Sequence, residues 1–285
     1  MNQSDISFIG IDLAWSPRNR TGAAVVRGGA GGGTLVDSAL LGGDPEIAAY
    51  VATWAGTGAA IVAVDGPLLV PNETGRRPGE AELSRAFGRY QAGAHPANRR
   101  RLAIDGVVRG EALVATLAAH GFTYAPAIAA GARAREVVEV YPHPAMVTIF
   151  ELERTLKYKA KPKRGAGERL AEWRRYLAYL DGLADADPPL RGQSALTEQD
   201  VAALRGRRLK DFEDRVDALM CAYIGLYAFR WGAARCRVFG TSDGGSIFTP
   251  VPKTMLEQPG ADTSGRISQT TTSTRGQPES PGTDA

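Results

Sequence analysis

Three acidic residues lie at or near the ends of segments that the sequence predicts to be β-strands. Asp12 and Asp65 end two apolar segments, and Glu139 lies within a third, opposite Val138 and Val140. Ligands of open α/β sheets collect beyond the carboxyl ends of the strands. Carboxylates gathered there repel one another unless a cation neutralises them, and Mg²⁺ and Mn²⁺ prefer such oxygen ligands. The pattern therefore predicts a carboxylate site for one of these cations.

Two further acids, Asp214 and Asp217, are three residues apart in a segment with helical periodicity, so they share one face of that helix. The flanking residues Ala218 and Ala222 are small, which favours a close approach of the helix to a sheet. Such a helix would complete a two-metal carboxylate site. The predicted metal ligands are Asp12, Asp65, Glu139 and Asp217, and the predicted catalytic set adds Asp214.

Each acid also has a purely structural interpretation. Asp65 precedes Gly-Pro and is typical of a turn, and Asp12 is suited to capping a loop. Glu139 is expected to be paired if it is buried, with Arg133 or Arg135 as the alternative partner to a metal. The two helical acids would then simply continue a solvated face.

Positive charge is concentrated between residues 153 and 175, where nine Lys or Arg accompany three Glu. Such clusters attract phosphate groups, although a solvated helix surface is the alternative. Lys157, Lys159 and Arg169 are the predicted contacts to a substrate phosphate. The two histidines near prolines, His95 and His143, are expected to be structural. The interleaved aromatic residues are predicted to form a buried helical stripe rather than to stack on bases: Tyr158, Trp173, Tyr176 and Tyr179.

The elements that must position these side chains follow from hydrophobic periodicity and turn signals. Three segments joined by Gly-rich links indicate an antiparallel meander, and each later apolar run follows a helical segment, which indicates parallel strands. Strands are predicted at 6–13, 21–27, 34–40, 60–64, 136–141, 235–240 and 246–250. Helices are predicted at 45–56, 107–120, 144–157, 167–181, 198–204 and 209–231.

This order predicts an α/β fold with one mixed sheet, strand order 3-2-1-4-5, and helices on both faces. That arrangement is the ribonuclease-H-like architecture. Residues 1–257 are expected to form a single domain, with an irregular insertion near 70–105 and a helical insertion near 144–206.

The composition narrows the class of protein. Of the 285 residues, 44% are hydrophobic and 23% are charged, as in ordinary globular proteins. The sequence has no apolar run of about 18 residues and no secretory signal, so a cytoplasmic protein without a membrane partner is expected. Two cysteines and three histidines make a disulfide scaffold or a zinc site improbable. Residues 258–285 contain three apolar residues and are predicted to be a disordered tail.

Four segments carry a resemblance to a known family when they are taken in order. They are Gly10-Ile-Asp-Leu-Ala-Trp15, Ala63-Val-Asp-Gly-Pro-Leu68, Glu139-Val-Tyr-Pro-His-Pro-Ala145 and Asp214-Arg-Val-Asp-Ala-Leu-Met-Cys-Ala222. Over roughly residues 7–251 the chain resembles domain-of-unknown-function family 429 (DUF429), predicted nucleases of the ribonuclease H fold. The Asp214/Asp217 pair is also similar to the last catalytic helix of Holliday-junction resolvases of the RuvC type. The resemblance implies a fold and a metal site, but no substrate.

The expected function is hydrolysis of phosphodiester bonds by a Mg²⁺- or Mn²⁺-dependent nuclease, acting on nucleic acid or on another phosphoester. One alternative is a nucleotide-dependent phosphotransferase or ATPase with the same core fold. Strand 1 leads to Ala14-Trp15-Ser16-Pro17 rather than to a Gly-rich phosphate loop, which argues against that alternative. The other alternative is a non-catalytic nucleic-acid-binding protein. The oligomeric state is left open.

Overall fold

A mixed β-sheet with helices on both faces forms the centre of the protein. The computed structural model describes residues 5–16, 18–162 and 164–256. The predicted tail at 258–285 lies outside the described residues. Within the described residues the sheet has nine strands, and a separate two-stranded ribbon accompanies it.

The strands of the central sheet include all seven that the sequence predicts. They are β1 (Ile6–Asp12), β2 (Thr21–Gly29), β3 (Gly32–Leu41), β4 (Ala60–Asp65), β7 (Thr123–Tyr124), β8 (Arg135–Val140), β9 (Leu190–Arg191), β10 (Cys236–Thr241) and β11 (Gly245–Pro250). The short strands β5 (Ala103–Ile104) and β6 (Val107–Val108) form the ribbon.

The sheet has the order β10-β11-β8-β4-β1-β2-β3-β9, with β7 also paired to β8. Strands β1, β2 and β3 form the antiparallel meander that their Gly-rich links predict. Strand β4 runs parallel to β1, and β8 runs parallel to β4. The carboxyl ends of β1, β4 and β8 therefore meet at one edge of the sheet.

The helices cover both faces of this sheet. The α-helices are α1 (Asp44–Ala55), α2 (Pro78–Phe87), α3 (Arg99–Leu102), α4 (Arg109–Ala118), α5 (Pro142–Ile149), α6 (Ala166–Gly182), α7 (Ser194–Thr197), α8 (Gly206–Trp231) and α9 (Lys253–Leu256). None of the helices in the described part of the chain has both the length and the apolar character that crossing a membrane requires.

Alternation along the strands divides the core between the two faces. Phe8 of β1 packs with Ala63 of β4 in the cluster that contains α5, α6 and α8. Ile9 and Ile11 of β1 pack with Val62 of β4 in the cluster that contains α1 and α4. Because successive strand residues point to opposite faces, each strand in the middle of the sheet is buried on both sides.

The segment 70–105 is more regular than the sequence predicts. Helix α2 lies within it and packs Leu83 and Phe87 against Phe239 of the edge strand β10 and Ile247 of its neighbour β11. Helix α2 has few apolar residues, so hydrophobic periodicity does not predict it. The helix is stabilised by a few long-range contacts and by the buried side chain of Arg77, which immediately precedes it.

Candidate functional site

Asp12 and Asp65 lie side by side at the carboxyl ends of β1 and β4. They are direct register partners of these two parallel strands, so their Cα atoms are separated by about one strand spacing, roughly 4.8 Å. Asp12 lies on the same face of β1 as Phe8, and Asp65 lies on the same face of β4 as Ala63. Both carboxylates therefore project toward the layer that contains α8.

Helix α8 crosses the sheet unusually close to these carboxylates because two glycines face it. A Cβ atom on Gly10 would lie 1.9 Å from the carbonyl oxygen of Ala218. A Cβ atom on Gly22, the register partner of Asp12, would lie 1.9 Å from the carbonyl oxygen of Asp214. The turn of α8 from Asp214 to Ala218 therefore rests directly on the strand ends that carry the acid pair.

Asp217 is fully buried on α8 and has three polar neighbours. Its Oδ1 accepts hydrogen bonds from the Tyr158 hydroxyl at 2.7 Å and from the Tyr176 hydroxyl at 3.4 Å. The Lys159 ammonium lies 2.7 Å from its Oδ2. Both carboxylate oxygens are thus occupied, and Asp217 holds the lysine in place.

Asp214, one turn earlier on α8, forms an ion pair with Lys210 near the amino-terminal end of the same helix. The Lys210 ammonium donates hydrogen bonds to Asp214 and, at 2.9 Å, to Glu213. Burial opposes the charge of Lys210, but these two carboxylates raise its pKa overall. Asp214 lines the same cleft as Asp12 and Asp65.

Lys159 is the positive charge among these acids. Burial acts to lower the pKa of Lys159, but Asp217, Asp12 and Asp65 outweigh it and raise this pKa well above the usual lysine value. Conversely, burial raises the pKa of Asp65 to about 7 although Lys159 opposes the shift. Burial likewise raises the pKa of Asp12 well above the ordinary value, with Lys159 again opposing. Burial therefore disfavours the charged forms of Asp12 and Asp65 in spite of the nearby ammonium.

The acid pair and Lys159 line a cleft of about 480 Å³. The cleft contains more cationic than anionic side chains, so a negatively charged ligand is favoured even beside the carboxylates. The other lining residues are Leu13, Ala14, Trp15, Asn19, Arg20, His95, Tyr141, His143, Lys161, Arg207, Lys210 and Asp214.

Glu139, predicted as a metal ligand, has a different role in the structure. It is the register partner of Val64, whereas Asp65 is opposite Val140, so Glu139 lies on the other face of the sheet. Its carboxylate accepts hydrogen bonds from both terminal nitrogens of Arg77 and from the Leu68 backbone N–H. The prediction of Glu139 as a metal ligand is therefore wrong, and its ion-pair partner is Arg77 rather than Arg133 or Arg135.

The three predicted phosphate contacts are separated by the structure. Lys159 reaches the acid pair, and Lys157 lines a smaller neighbouring cleft of about 160 Å³. Arg169 on α6 lines neither of these two clefts. Arg169 lies on α6, whereas Lys157 and Lys159 precede that helix and lie outside the helices and strands of the fold.

Several residues of the site were not predicted from the sequence. Tyr158 fixes Asp217, Lys161 lines both clefts, and His143 lines both clefts while its Nδ1 lies 3.0 Å from Thr155 Oγ1. The signal in the sequence was the close spacing of Lys157, Lys159 and Lys161 around Tyr158. The predicted burial of Tyr158, Trp173 and Tyr176 is confirmed.

The donor set meets the requirements of Mg²⁺ or Mn²⁺ only in part. Among the described residues, no three Asp, Glu, His or Cys side chains converge as a complete metal-binding group. Asp12 and Asp65 remain as a pair of adjacent carboxylates. Mg²⁺ is commonly held by one or two carboxylates together with water and substrate phosphate, so this pair fits a site that the substrate completes.

Comparison with known proteins agrees with the order of motifs along the chain. No curated protein matches the sequence, and no solved structure matches it either. Residues 10–241 match the family described as "Protein of unknown function (DUF429)". This range contains both strand ends of the acid pair, the segment of Lys159 and the acidic turn of α8. Because the match spans most of the chain, the protein belongs to the DUF429 family.

Proposed function

We propose that this protein is a divalent-metal-dependent phosphodiesterase with a ribonuclease-H-like fold, which acts on nucleic acid or on another phosphoester. The fold part of the proposal is supported by the antiparallel meander β1–β3, followed by the parallel strands β4 and β8 with helices on both faces. Family membership is compatible with this proposal and leaves the activity open.

One observation carries the functional part: two adjacent carboxylates and a partly buried lysine line the same cation-rich cleft. Asp12 and Asp65 supply negative ligands for a metal, and Lys159 supplies positive charge for a phosphate. Perturbed pKa values in a cleft are typical of functional sites, and here burial raises the pKa of Asp65 to about 7.

The residues divide into two tasks under this proposal. Asp12 and Asp65 would hold the ion, which would supply activation of water and positive charge for the reacting phosphate. Lys159, positioned by Asp217, neutralises negative charge that develops on the phosphate oxygens. Asp217 in turn depends on the Tyr158 hydroxyl for its orientation.

Thermal unfolding with and without Mn²⁺ tests the metal site. An ion present at about 100 times its Kd stabilises a folded protein by about 2.7 kcal/mol, so the wild-type melting temperature should rise. Asp12→Asn and Asp65→Asn each remove one negative ligand and should reduce this rise. Asp185→Asn, at an exposed position outside the cleft, is the matched control. Equal Mn²⁺ shifts in all four proteins would contradict the metal site.

Cleavage assays test the reaction itself. Labelled single-stranded, duplex and branched oligonucleotides should be cut by the wild type in Mn²⁺ and not by Asp12→Asn. ATP turnover is measured in parallel. Turnover of ATP that depends on Asp12, with no oligonucleotide cut, would replace the phosphodiesterase by a phosphotransferase or ATPase.

A further inference from the structure

A second cleft opens beside the acid pair and contains no acidic side chain. Its volume is about 160 Å³, and it shares His95, Tyr141, His143, Lys159 and Lys161 with the first cleft. The residues that belong to it alone include Lys157 and Arg164. The two clefts therefore adjoin along Lys159 and Lys161.

Within the described residues, three of the four Lys and Arg side chains that line this second cleft lack a carboxylate partner, and Lys159 is the fourth. In the described residues, no carboxylate lies within ion-pair distance of Lys157, Lys161 or Arg164. Lys159 and Lys210, by contrast, each contact a carboxylate of α8. Like charges held close together are unfavourable until an anion enters, so the cleft is poised for an anionic ligand.

The electrostatics of Lys157 and Lys161 agree with this absence of anionic partners. Burial lowers the pKa of Lys157, and Arg164 and Lys161 lower it further. Burial also lowers the pKa of Lys161, with Arg164 and Lys159 adding to the effect. A bound anion would therefore stabilise the charged forms of both lysines.

We infer that the cleft formed by Lys157, Lys161 and Arg164 binds a second phosphate group, next to the phosphate that reacts at Asp12 and Asp65. The inference rests on the proposed function for the role of the first phosphate. It defines the substrate class more narrowly: the substrate carries at least two neighbouring phosphates. A nucleic-acid strand supplies them along its backbone, and a nucleoside polyphosphate supplies them within one molecule.

Lysine and arginine fit this ligand in complementary ways. Arg164 presents a planar set of donors, one of which is used on the Lys159 carbonyl oxygen at 3.0 Å. Lys157 and Lys161 present compact ammonium groups that move freely. His95 and His143 border the same space, where burial lowers the pKa of each, so they enter it as neutral hydrogen-bonding groups.

Calorimetric titration with inorganic pyrophosphate, without divalent metal, tests the subsite directly. The double variant Lys157→Ser/Lys161→Ser should weaken pyrophosphate binding by about tenfold or more, because two charge-assisted contacts are lost. The control Arg174→Ser/Lys253→Ser removes two exposed positive charges elsewhere and should bind as the wild type does. Equal affinity of the wild type and the Lys157/Lys161 variant, or no binding by the wild type, overturns the inference.

A second comparison identifies the source of the phosphate. Oligothymidylate and ATP are each titrated into the wild type and the Lys157→Ser/Lys161→Ser variant. A loss confined to oligothymidylate assigns the second phosphate to a nucleic-acid backbone, and a loss confined to ATP assigns it to a nucleotide. No loss for either ligand overturns the inference.

The subsite and the proposed reaction fail separately in these experiments. Lysine-dependent pyrophosphate binding without any cleavage in Mn²⁺ supports the subsite and contradicts the phosphodiesterase. Cleavage that depends on Asp12, together with pyrophosphate binding that is insensitive to Lys157 and Lys161, supports the phosphodiesterase and contradicts the subsite.

Discussion

Lys159 is the residue on which the charge balance of the site depends. Its ammonium contacts buried Asp217 and lies near Asp12 and Asp65, so it serves as an internal cation among three acids. A buried ion pair contributes little net stability, but removal of one partner leaves an uncompensated charge. The lysine therefore maintains the fold in the absence of metal and provides positive charge at the proposed reaction centre.

Replacement of Lys159 should lower the stability of the metal-free protein. Lys159→Met leaves Asp217 with tyrosine hydroxyls alone, and we expect the free energy of unfolding to fall by about 3 kcal/mol. Urea denaturation in EDTA measures this loss, and Lys159→Arg, which keeps the charge, should lose less. We also expect Mn²⁺ to recover more stability in Lys159→Met than in the wild type. Unchanged stability of Lys159→Met would show that Asp217 needs no cation.

Asp65 should make the stability of the metal-free protein depend on pH. Its pKa is raised to about 7 from the ordinary 3.8, so between these values the folded state binds more protons than the unfolded state. Stability contributed by this group is complete below about pH 4 and is lost as the pH rises toward about 7. Asp65→Asn lacks this loss. Its free energy of unfolding relative to that of the wild type should therefore increase by on the order of 2–4 kcal/mol between about pH 4 and about pH 8.

Urea unfolding of both proteins at several pH values, in EDTA, measures that difference. Asp185→Asn provides the comparison, because its exposed carboxylate lies outside both clefts. A constant difference between Asp65→Asn and the wild type across this pH range would mean that the Asp65 carboxylate titrates normally.

Glu139 should behave as a structural residue rather than as a ligand. Arg77 is 1% exposed and contacts both Glu139 and Glu80, so Glu139→Gln leaves it with one carboxylate in place of two. We expect a loss of about 3 kcal/mol in the free energy of unfolding. The Mn²⁺-induced shift should be the same as in the wild type. Loss of the Mn²⁺-induced shift in Glu139→Gln would show instead that Glu139 is a metal ligand.

At the scale of elements, the site depends on the contact between β1 and α8. Gly10→Ala would place a methyl group within van der Waals overlap of the α8 backbone at Ala218 and Ala222, and backbone cannot move aside as a flexible side chain can. We expect destabilisation by about 3 kcal/mol and loss of the Mn²⁺ shift, because α8 is displaced from Asp12. Melting curves of the variant with and without Mn²⁺ measure both effects.

Gly31→Ala is the matched control for this close approach. Nothing lies within 4 Å of a Cβ atom at Gly31, so the same added methyl group meets open space. Equal stability of Gly10→Ala and Gly31→Ala would contradict the close packing of α8 on the sheet.

At the scale of the whole molecule, the two adjoining clefts form one cation-lined surface around the acid pair. The affinity for single-stranded oligonucleotide should fall with salt, since each neutralised phosphate releases a condensed counterion. Loss of Lys157 and Lys161 should reduce the slope of log K against log salt by about 1.4, or about 0.7 for each cation. Fluorescence anisotropy over a salt series measures the slope, and the Arg174→Ser/Lys253→Ser control should keep it.

Local periodicity accounts for the parts of the fold that the sequence predicts correctly. The apolar residues of the meander β1–β3 and of the long helix α8 recur at periods of two or 3.6 residues, and β4 and β8 are short apolar runs. These patterns depend only on near neighbours in the chain. The face of Asp12 follows in the same way from Ile9 and Ile11. The adjacency of Asp12 and Asp65 follows from the parallel order of β1 and β4.

The partners of the charged groups were decided by tertiary structure alone. A shift of one residue in register turns a strand side chain to the other face, and the register of β8 moves Glu139 away from Asp65. Arg77 meets Glu139 across 62 residues, and Tyr158 meets Asp217 across 59. Burial and Coulomb energy select these pairs among many acids and cations, and both depend on distances that exist only once the chain has folded.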